Sequence, residues 1–370
     1  MKNYILCFCL ILSVSGIAQN TDSVSEFAES LDRELPKRLA EKNVPGMAIA
    51  VMHKGKIIYK RGIGLANVSI RERVTPETGF NIGSISKLFT AWGVMKLVQQ
   101  GKIVLDAPVE NYLSRWKLPA GKFDSKKVTV ASLLSHTGGI SVHGYPGFPP
   151  EMELPSLEES LNGVNGPVRA NEKVEIILEP QTKLKYSGGG YTILQLMIEE
   201  VSGMPFSTYM KREVFRPLKM RNTSFVLSKG ILKKSSLPYD EKGEEIYLER
   251  FTAQAAAGLH TNLEDLLTFV KANFHGSEVL SRKVIDKMRE PLPITKGFYG
   301  LGYLHYSFGG IDLHGHTGSN TGWESALLLD FKTSSGIIML SNGSEGEDVL
   351  KGTLRQWVKW RSALKTEKTK

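Results

Sequence analysis

Strand-like segments lie near both ends of this chain, and they enclose a long stretch that is helical and rich in loops. Near the N-terminus, two runs rich in Ile, Val and Tyr flank Lys54 and Gly55, which is the pattern of a β-hairpin. Between residues 299 and 343, four more runs of strand-like composition are separated by turn residues. Strands so far apart in sequence can share one sheet if the intervening chain forms an insertion. The sequence therefore predicts an α/β (α+β) fold built on an antiparallel sheet.

Helices from both ends of the chain are expected to flank this sheet. Helical signals run from Val24 to Glu41, and the tryptophan-rich stretch LRQWVKW indicates a final helix. We expect a discontinuous sheet domain formed by residues 19–85 and 250–362, a mostly helical inserted domain at residues 86–249, and a charged tail at residues 363–370.

Two internal helix starts are marked by local sequence signals. Apolar residues at helical spacing follow Ser84, and Gly101 supplies a C-terminal stop. Further along the chain, Thr261 to Glu264 match a capping box that opens a second helix. We therefore predict that one helix begins near Ser84 and another at Thr261.

The first 18 residues have the composition of a cleaved secretory signal. Lys2 supplies a positive charge, an apolar run extends from Ile5 to Val14, and the small residues Gly16 and Ala18 follow it. The run is shorter than the roughly 20 apolar residues that a membrane-spanning helix needs. We expect residues 1–18 to be removed, leaving a periplasmic or extracellular protein with no integral membrane segment in the mature chain.

Composition excludes several classes of function for the mature chain. Both cysteines, Cys7 and Cys9, lie in the signal, so disulfides, thiolate metal ligands and cysteine nucleophiles are excluded. The formal net charge is +9 at pH 7, but the basic residues are scattered among acidic ones. We expect no nucleic-acid partner and no cofactor, and a small-molecule or peptide substrate.

A serine followed three residues later by a lysine is the first candidate for catalysis. This Ser-x-x-Lys pattern occurs three times, beginning at Ser84, Ser114 and Ser362, but only the first copy follows an extended segment and enters a helix. On the first turn of a helix, residues three apart share a face, so the Lys87 amine can reach the Ser84 hydroxyl. The helix dipole favours a neutral lysine at this end, and free backbone N–H groups are available there.

A serine nucleophile also needs a partner that transfers its proton to the leaving group. Tyr186, in the stretch LKYSGGGYTILQL, is the favoured candidate, with a pKa expected to be lowered by a neighbouring cation and hydrogen bonds. Ser160-Leu161-Asn162 matches a Ser-x-Asn version of the same role, although a helix end also explains it.

The tripeptide His-Thr-Gly occurs twice, and its surroundings distinguish the two copies. The copy at His136 follows a helical run and leads into glycines, which favours a structural role. The copy from His316 to Gly318 ends a strand, where an N–H group from Ser319 can join that of Ser84 in an oxyanion hole. Thr317, Gly318 and Ser319 are therefore candidate substrate-binding residues. His314 and His316 share a strand face, but no third ligand accompanies them, so no metal site is predicted.

Taken in order, these motifs resemble those of the serine β-lactamase-like family, in its branch of class C β-lactamases, D-alanyl-D-alanine carboxypeptidases and esterases. The resemblance rests on FNIGSISKLFT, LLSHTGGI, YSGGGYTILQLMIEEVSGMPF, AAAGLHTNLEDL and HTGSNTGW. It implies a β-lactamase/transpeptidase-like fold in which Ser84 is the acylated nucleophile and Lys87 and Tyr186 are its acid/base partners. His316 to Gly318 stand where the family has Lys-Thr-Gly or His-Thr-Gly, and LLSHTGGI has no assigned catalytic role.

Two positions depart from this pattern. Gly188 stands where class C enzymes have the asparagine of Tyr-x-Asn, so an amide that holds a substrate carbonyl is missing. His316 replaces a lysine, and a histidine titrates near 6.5 rather than near 10.4. We therefore expect His316 to contribute a limb to the pH profile between pH 5 and 8.

The sequence favours an exported serine hydrolase that cleaves an amide or ester through an acyl-enzyme on Ser84. D-alanyl peptidase and esterase activities both fit the motifs, and peptidoglycan-derived peptides are candidate substrates. The alternative from another class is a catalytically silent binding protein that retains the fold, an interpretation motivated by the missing asparagine at Gly188.

Overall fold

The computed structural model describes residues 12–163 and 172–366. The expected signal peptide lies partly outside this range, since residues 1–11 are not described, and the end of the expected charged tail, residues 367–370, lies outside it as well. Within the described residues, no helix is both long and apolar enough to cross a membrane.

The main sheet of the described chain has seven strands, all paired antiparallel. The strands are β1 Gly46–His53, β2 Lys56–Asn67, β3 Glu72–Arg73, β4 Gly79–Asn81, β5 His260–Asn262, β6 Leu304–Phe308, β7 Ile311–Asn320, β8 Trp323–Asp330 and β9 Ser335–Ser341. The strand order in the main sheet is β3-β2-β1-β9-β8-β7-β6, and β4 and β5 form a separate two-stranded ladder. The predicted N-terminal hairpin and the four later strands are confirmed, and they meet where β1 pairs with β9.

Helices cover both faces of this sheet, as the sequence predicted. The helix near each end of the described chain packs on one face, and those between β4 and β6 lie on the other side or at the periphery. The helices are α1 Leu12–Glu41, α2 Ile85–Gln99, α3 Val130–Leu134, α4 Leu157–Asn162, α5 Gly188–Ser202, α6 Phe206–Met210, α7 Lys229–Leu232, α8 Gln254–Ala257, α9 Leu263–His275, α10 Arg282–Arg289 and α11 Gly346–Thr366.

Strand β1 shows why two hydrophobic cores form. All eight of its residues are buried, and successive side chains point to opposite faces of the sheet. Met47 and Ile49 join the core beneath α1 and α11, whereas Ala48 and Ala50 join the larger core that surrounds α2. Small residues on the α2 side allow helices to approach the sheet closely.

The predicted capping box at Thr261 is wrong by one residue. Thr261 belongs to β5, and the N-cap of α9 is Asn262, whose side chain accepts a hydrogen bond from the Asp265 N–H at 2.9 Å. Both residues belong to the β4–β5 ladder, but the Thr261 hydroxyl contacts that of Thr223 at 2.6 Å. The Thr261 side chain is therefore engaged by a segment distant in sequence, and Asn262 serves as the cap.

Candidate active site

Ser84 lies at the N-cap of α2, three residues after β4 ends at Asn81. The helix that follows is buried on nearly all sides, including Leu88, Phe89 and Trp92, which are fully buried. Ser84 itself is partly exposed. A helix held this firmly fixes its first residue at the sheet edge while leaving the Ser84 hydroxyl accessible. The predicted helix start near Ser84 is confirmed.

Lys87 lies one turn into α2, with its ammonium nitrogen 3.0 Å from the Ser84 Oγ. The same nitrogen donates a hydrogen bond to the Ala256 carbonyl at 2.7 Å. Lys87 is 2% exposed, and burial lowers its pKa to about 7 because a charged amine loses its hydration there. A substantial share of Lys87 is therefore neutral near pH 7 and can accept the Ser84 proton.

Tyr186 lies two residues before α5 begins, and its side chain reaches the Ser84 hydroxyl. The Tyr186 and Ser84 hydroxyls interact, and the Lys87 nitrogen lies 4.9 Å from the centre of the Tyr186 ring. The expectation of a lowered tyrosine pKa is wrong: burial raises the pKa of Tyr186, and the interaction with Ser84 offsets only part of that increase. Tyr186 is thus a neutral phenol at physiological pH, so it can donate a proton.

The sheet edge beside Ser84 is open over half of one strand. Strand β6 pairs with β7 only from Ile311 to Gly315, whereas β8 pairs with β7 as far as Asn320. The outer edge of residues 316–320 is therefore not covered by β6. An extended substrate can pair with backbone groups there, as a peptide adds to a sheet edge.

Glycine allows this open edge to approach the nucleophile. A Cβ atom on Gly318 would lie 2.0 Å from the Ile82 carbonyl oxygen, and one on Gly83 would lie 2.6 Å from the Ser319 nitrogen. The Ser319 hydroxyl donates to Glu324 at 2.5 Å, which leaves the backbone of Ser319 as its contribution beside Ser84. The Ser319 backbone nitrogen thus lies beside Gly83, the residue before Ser84, which is compatible with an oxyanion hole formed with the Ser84 N–H.

His316 lies on β7, and its side chain is buried, with 2% exposed. Its Nε2 is 2.9 Å from the Tyr299 hydroxyl, and its Nδ1 contacts the Thr317 carbonyl. Burial and the nearby Lys87 lower the pKa of His316 to about 3. The expected pH limb from His316 between pH 5 and 8 is therefore wrong, because this imidazole stays neutral throughout that range.

His136, in the first His-Thr-Gly copy, packs against the Tyr186 ring. The His136 ring centre lies 4.2 Å from that of Tyr186, and the His136 Nδ1 accepts the Ser187 N–H at 3.1 Å. Accepting at Nδ1 assigns the proton of the neutral ring to Nε2. His136 thus anchors the residue after Tyr186 and packs on its ring, a contact that its sequence motif did not reveal.

The competing candidates lie elsewhere. Ser114 donates to Glu200 at 2.5 Å, and Asn162 of the Ser-x-Asn alternative accepts from the Trp116 indole at 3.0 Å. Ser362 donates to the Gly309 carbonyl at 3.3 Å. The His314 ring stacks on that of His305, whereas His316 contacts the Tyr299 hydroxyl. Among the described residues, none of these four candidates lines the cavity at Ser84.

That cavity has a volume of about 1140 Å³ and brings together the residues singled out in the sequence. Ser84, Lys87, Tyr186 and the segment from His316 to Asn320 share its lining. The wall formed by β6 is largely apolar and includes Leu304, Tyr306 and Phe308, which sequence reasoning had left unassigned.

Asn81 and Asn320 form a buried link that sequence reasoning also missed. The Asn320 amide donates to the Asn81 Oδ1 at 2.7 Å and to the Ala257 carbonyl at 3.0 Å. The same Asn81 oxygen accepts the Gly83 N–H at 2.8 Å. This link joins the end of β7 to Gly83, the residue before Ser84. In the sequence, only the position of the two asparagines beside the Ser84 and His316 motifs pointed to them.

Similarity to known proteins extends over most of the chain. A family model described as Beta-lactamase matches residues 31–358. Protein flp of Staphylococcus aureus (strain N315) is 24% identical over 329 residues, which cover 87% of this chain and 64% of that protein. The chain thus spans less than two thirds of this relative. PbpX of Bacillus subtilis (strain 168) is 26% identical over 286 residues, covering 75% of this chain and 67% of PbpX.

A solved structure gives the same result for the fold. The octameric penicillin-binding protein homologue from Pyrococcus abyssi superposes with a TM-score of 0.72 at 29% sequence identity. The match covers 86% of this chain and 74% of that one. The mixed α/β architecture with an antiparallel sheet, expected from the sequence, is confirmed.

Proposed function

The chain belongs to the β-lactamase family, whose members are typically serine hydrolases, and we propose that it is an exported serine hydrolase acting through an acyl-enzyme on Ser84. The observation that carries this proposal is the buried Lys87 amine, 3.0 Å from the Ser84 hydroxyl and with a pKa lowered to about 7 by burial. A hydroxyl is a weak nucleophile, and an adjacent neutral amine supplies the base that activates it.

In the proposed acylation step, Lys87 takes the proton from the Ser84 hydroxyl while its oxygen attacks the substrate carbonyl. The negative charge that develops on the carbonyl oxygen is held by the N–H groups of Ser84 and Ser319. Tyr186 donates its phenolic proton to the leaving group, and the ammonium of Lys87 then returns a proton to Tyr186. The raised pKa of Tyr186 supports this role because it keeps the donor protonated.

Deacylation reverses these proton transfers with water as the nucleophile. Water gives a proton to the Lys87–Tyr186 pair and attacks the acyl carbon, and Ser84 recovers its proton as the product acid leaves. The partly exposed Ser84 and the volume of the cavity support access of water to the acyl group. No cofactor is needed to balance either step.

The acyl donor is an amide or an ester, and D-alanyl peptides of peptidoglycan type remain candidates beside simple esters. His316 is neutral, so it supplies no fixed charge for a substrate carboxylate. Reaction with benzylpenicillin distinguishes a D-alanyl peptidase from a lactamase. A lasting adduct on Ser84 favours the peptidase, and rapid turnover without an adduct favours the lactamase. Aryl-ester turnover without either reaction favours an esterase.

The direct test of the proposed function is hydrolysis of an aryl ester by the wild type and by Ser84→Ala. Hydrolysis that is lost in the variant supports the proposal. Absence of hydrolysis in both proteins, together with binding of peptidoglycan fragments, would instead support the silent binding protein. N-terminal sequencing of protein recovered from the periplasm or medium tests removal of residues 1–18.

A further inference from the structure

Gly188, which stands where related enzymes have asparagine, lies directly against a neighbouring loop. A Cβ atom on Gly188 would be 3.2 Å from the His143 carbonyl oxygen and 3.3 Å from the Gly144 Cα. It would also lie 3.5 Å from a ring carbon of Tyr145. A longer side chain would have to displace this loop. The space at Gly188 is therefore occupied by residues 143–145.

The N-cap and first turn of α5 hold this loop by hydrogen bonds. The Ser187 hydroxyl donates to the Ser141 carbonyl at 2.6 Å. The Gly188 and Gly189 N–H groups donate to the carbonyls of His143 at 3.0 Å and Val142 at 3.1 Å. The first N–H groups of a helix lack partners within the helix, so the loop satisfies groups that would otherwise need another acceptor.

The loop also contains a strained residue. Val142 has a φ of 59°, in the left-handed region that a β-branched residue rarely adopts. Such conformations cost free energy and persist where the surrounding structure fixes them, often at functional sites. Here, the hydrogen bonds from α5 fix Val142, and the strained turn sets the direction of the next residue, His143.

His143 lines the cavity together with Ser84 and Tyr186. Its ring centre lies 5.0 Å from that of Tyr186, and the residue is exposed. Among the described residues, no hydrogen bond is made by either of its ring nitrogens. Burial, Lys87 and Lys185 lower the pKa of His143, so its ring is neutral at pH 7 and offers one donor and one acceptor.

We infer that His143 contacts the substrate and provides the polar contact that an asparagine at Gly188 would otherwise provide. The ligand chemistry it fits is an amide group in the acyl part of the substrate, one methylene away from the reacting carbonyl. The imidazole N–H donates to the amide oxygen while Ser84 attacks the neighbouring carbonyl. This assignment rests on the proposed function, since it concerns acyl donors of the same site.

Two substrates of equal length test the assignment. The aryl ester of N-acetylglycine carries the amide, whereas the aryl ester of pentanoic acid has a hydrocarbon chain in the same place. His143→Ala is expected to lower kcat/KM for the N-acetylglycyl ester about tenfold and to leave the pentanoyl ester within about twofold. His143→Gln keeps a donor and is expected to recover part of the loss.

The matched control is His275→Ala, because His275 is an exposed histidine at the end of α9. It is expected to hydrolyse both esters like the wild type. Equal losses on the two esters in His143→Ala, or no loss on either, would overturn the role of His143 while Ser84-dependent hydrolysis persists. If the wild type hydrolyses neither ester and forms no adduct with benzylpenicillin on Ser84, the proposed function itself fails, and the two failures are thereby separated.

Discussion

At the scale of single residues, the central feature is the protonation of Lys87. The Lys87 nitrogen donates hydrogen bonds to two acceptors, the Ser84 hydroxyl and the Ala256 carbonyl. Its pKa is shifted by burial, and no carboxylate contributes to the shift. Burial disfavours the ammonium form and lowers the pKa of Lys87 to about 7. The Ser-x-x-Lys spacing predicted the contact between the two side chains, but not the extent of burial that makes Lys87 a base.

The pH dependence of hydrolysis follows from this pKa. Because the reactive form has a neutral Lys87, kcat/KM for an aryl ester should rise as the pH increases through about 7. His316→Gln should leave this limb in place, since His316 is already neutral above pH 5. Rate measurements from pH 5 to 9 on both proteins test this. A limb that disappears in His316→Gln would assign the titration to His316 instead.

The same burial makes Lys87 costly for stability. Between pH 10.5 and about 7, the unfolded chain holds a proton on Lys87 that the folded chain lacks, so the free energy of unfolding falls as the pH is lowered through this range. Lys87→Met should therefore be inactive but more stable, by about 1–3 kcal/mol at pH 7, with the unpaired Ala256 carbonyl offsetting part of the gain.

Urea unfolding of the wild type and Lys87→Met measures this effect. The difference in stability should shrink as the pH is raised from 7 to 10, where the wild type recovers its neutral lysine without penalty. Ser84→Ala keeps Lys87 and serves as an inactive control with wild-type pH dependence. A difference that is constant from pH 7 to 10 would contradict the lowered pKa.

At the scale of elements, the site depends on where β7 meets the start of α2. The strands themselves were predictable, because alternating apolar residues and turn residues act locally. The register was not: only pairing in three dimensions shows that β6 stops at Gly315 and leaves residues 316–320 open. The shift of the α9 cap from Thr261 to Asn262 has the same origin, since the Thr261 hydroxyl contacts that of Thr223, which is distant in sequence.

Gly318→Ala tests the close approach of β7 to the nucleophile. The added Cβ would lie 2.0 Å from the Ile82 carbonyl oxygen, so β7 and the segment that contains Ile82 must move apart to accommodate it. A displacement of about 1 Å near reacting groups costs about 100-fold in rate, and kcat/KM should fall by that order.

Gly121→Ala is the matched control for this prediction. Gly121 is exposed, and a Cβ there meets no atom within 4 Å, so this variant should keep wild-type kcat/KM. Circular dichroism of Gly318→Ala distinguishes loss of the site from loss of the fold. A folded Gly318→Ala with wild-type kcat/KM would show that the strand position does not limit the reaction.

At the scale of the whole molecule, the terminal helices pack on one face of the sheet, and the cavity at Ser84 extends to α11, where Leu350 and Leu354 line it. Arg361 on α11 is 3% exposed and binds Asp330 at 2.7 Å and Thr333 at 2.8 Å, joining the last helix to the turn between β8 and β9. This pair is buried away from Ser84. Its contribution should therefore be to stability rather than to the reaction.

Arg361→Met should lower the free energy of unfolding by about 3–5 kcal/mol, because it leaves the Asp330 carboxylate buried without its partner. The kcat/KM of the folded fraction should stay unchanged. Adding Asp330→Asn should recover part of the lost stability by removing the unpaired charge. Denaturant unfolding measures both effects, and an Arg361→Met protein as stable as the wild type would contradict them.

The order of motifs in the sequence was enough to predict the fold and to bring Ser84, Lys87 and Tyr186 together as candidates. It could not predict that the space at Gly188 is filled by residues 143–145, because that contact joins segments more than 40 residues apart. The direction of the pKa shifts at Tyr186 and His316 was also out of reach. Both depend on burial by segments that are distant in sequence.

The most direct test of the account is the covalent state of Ser84 during turnover. The protein is mixed with an aryl ester, quenched in acid within the first turnovers and analysed by intact mass and peptide mapping. The account predicts a mass increase equal to the acyl group on the peptide that contains Ser84, and no adduct in Ser84→Ala. Continued hydrolysis by Ser84→Ala, or an acyl group carried by another residue, would contradict it.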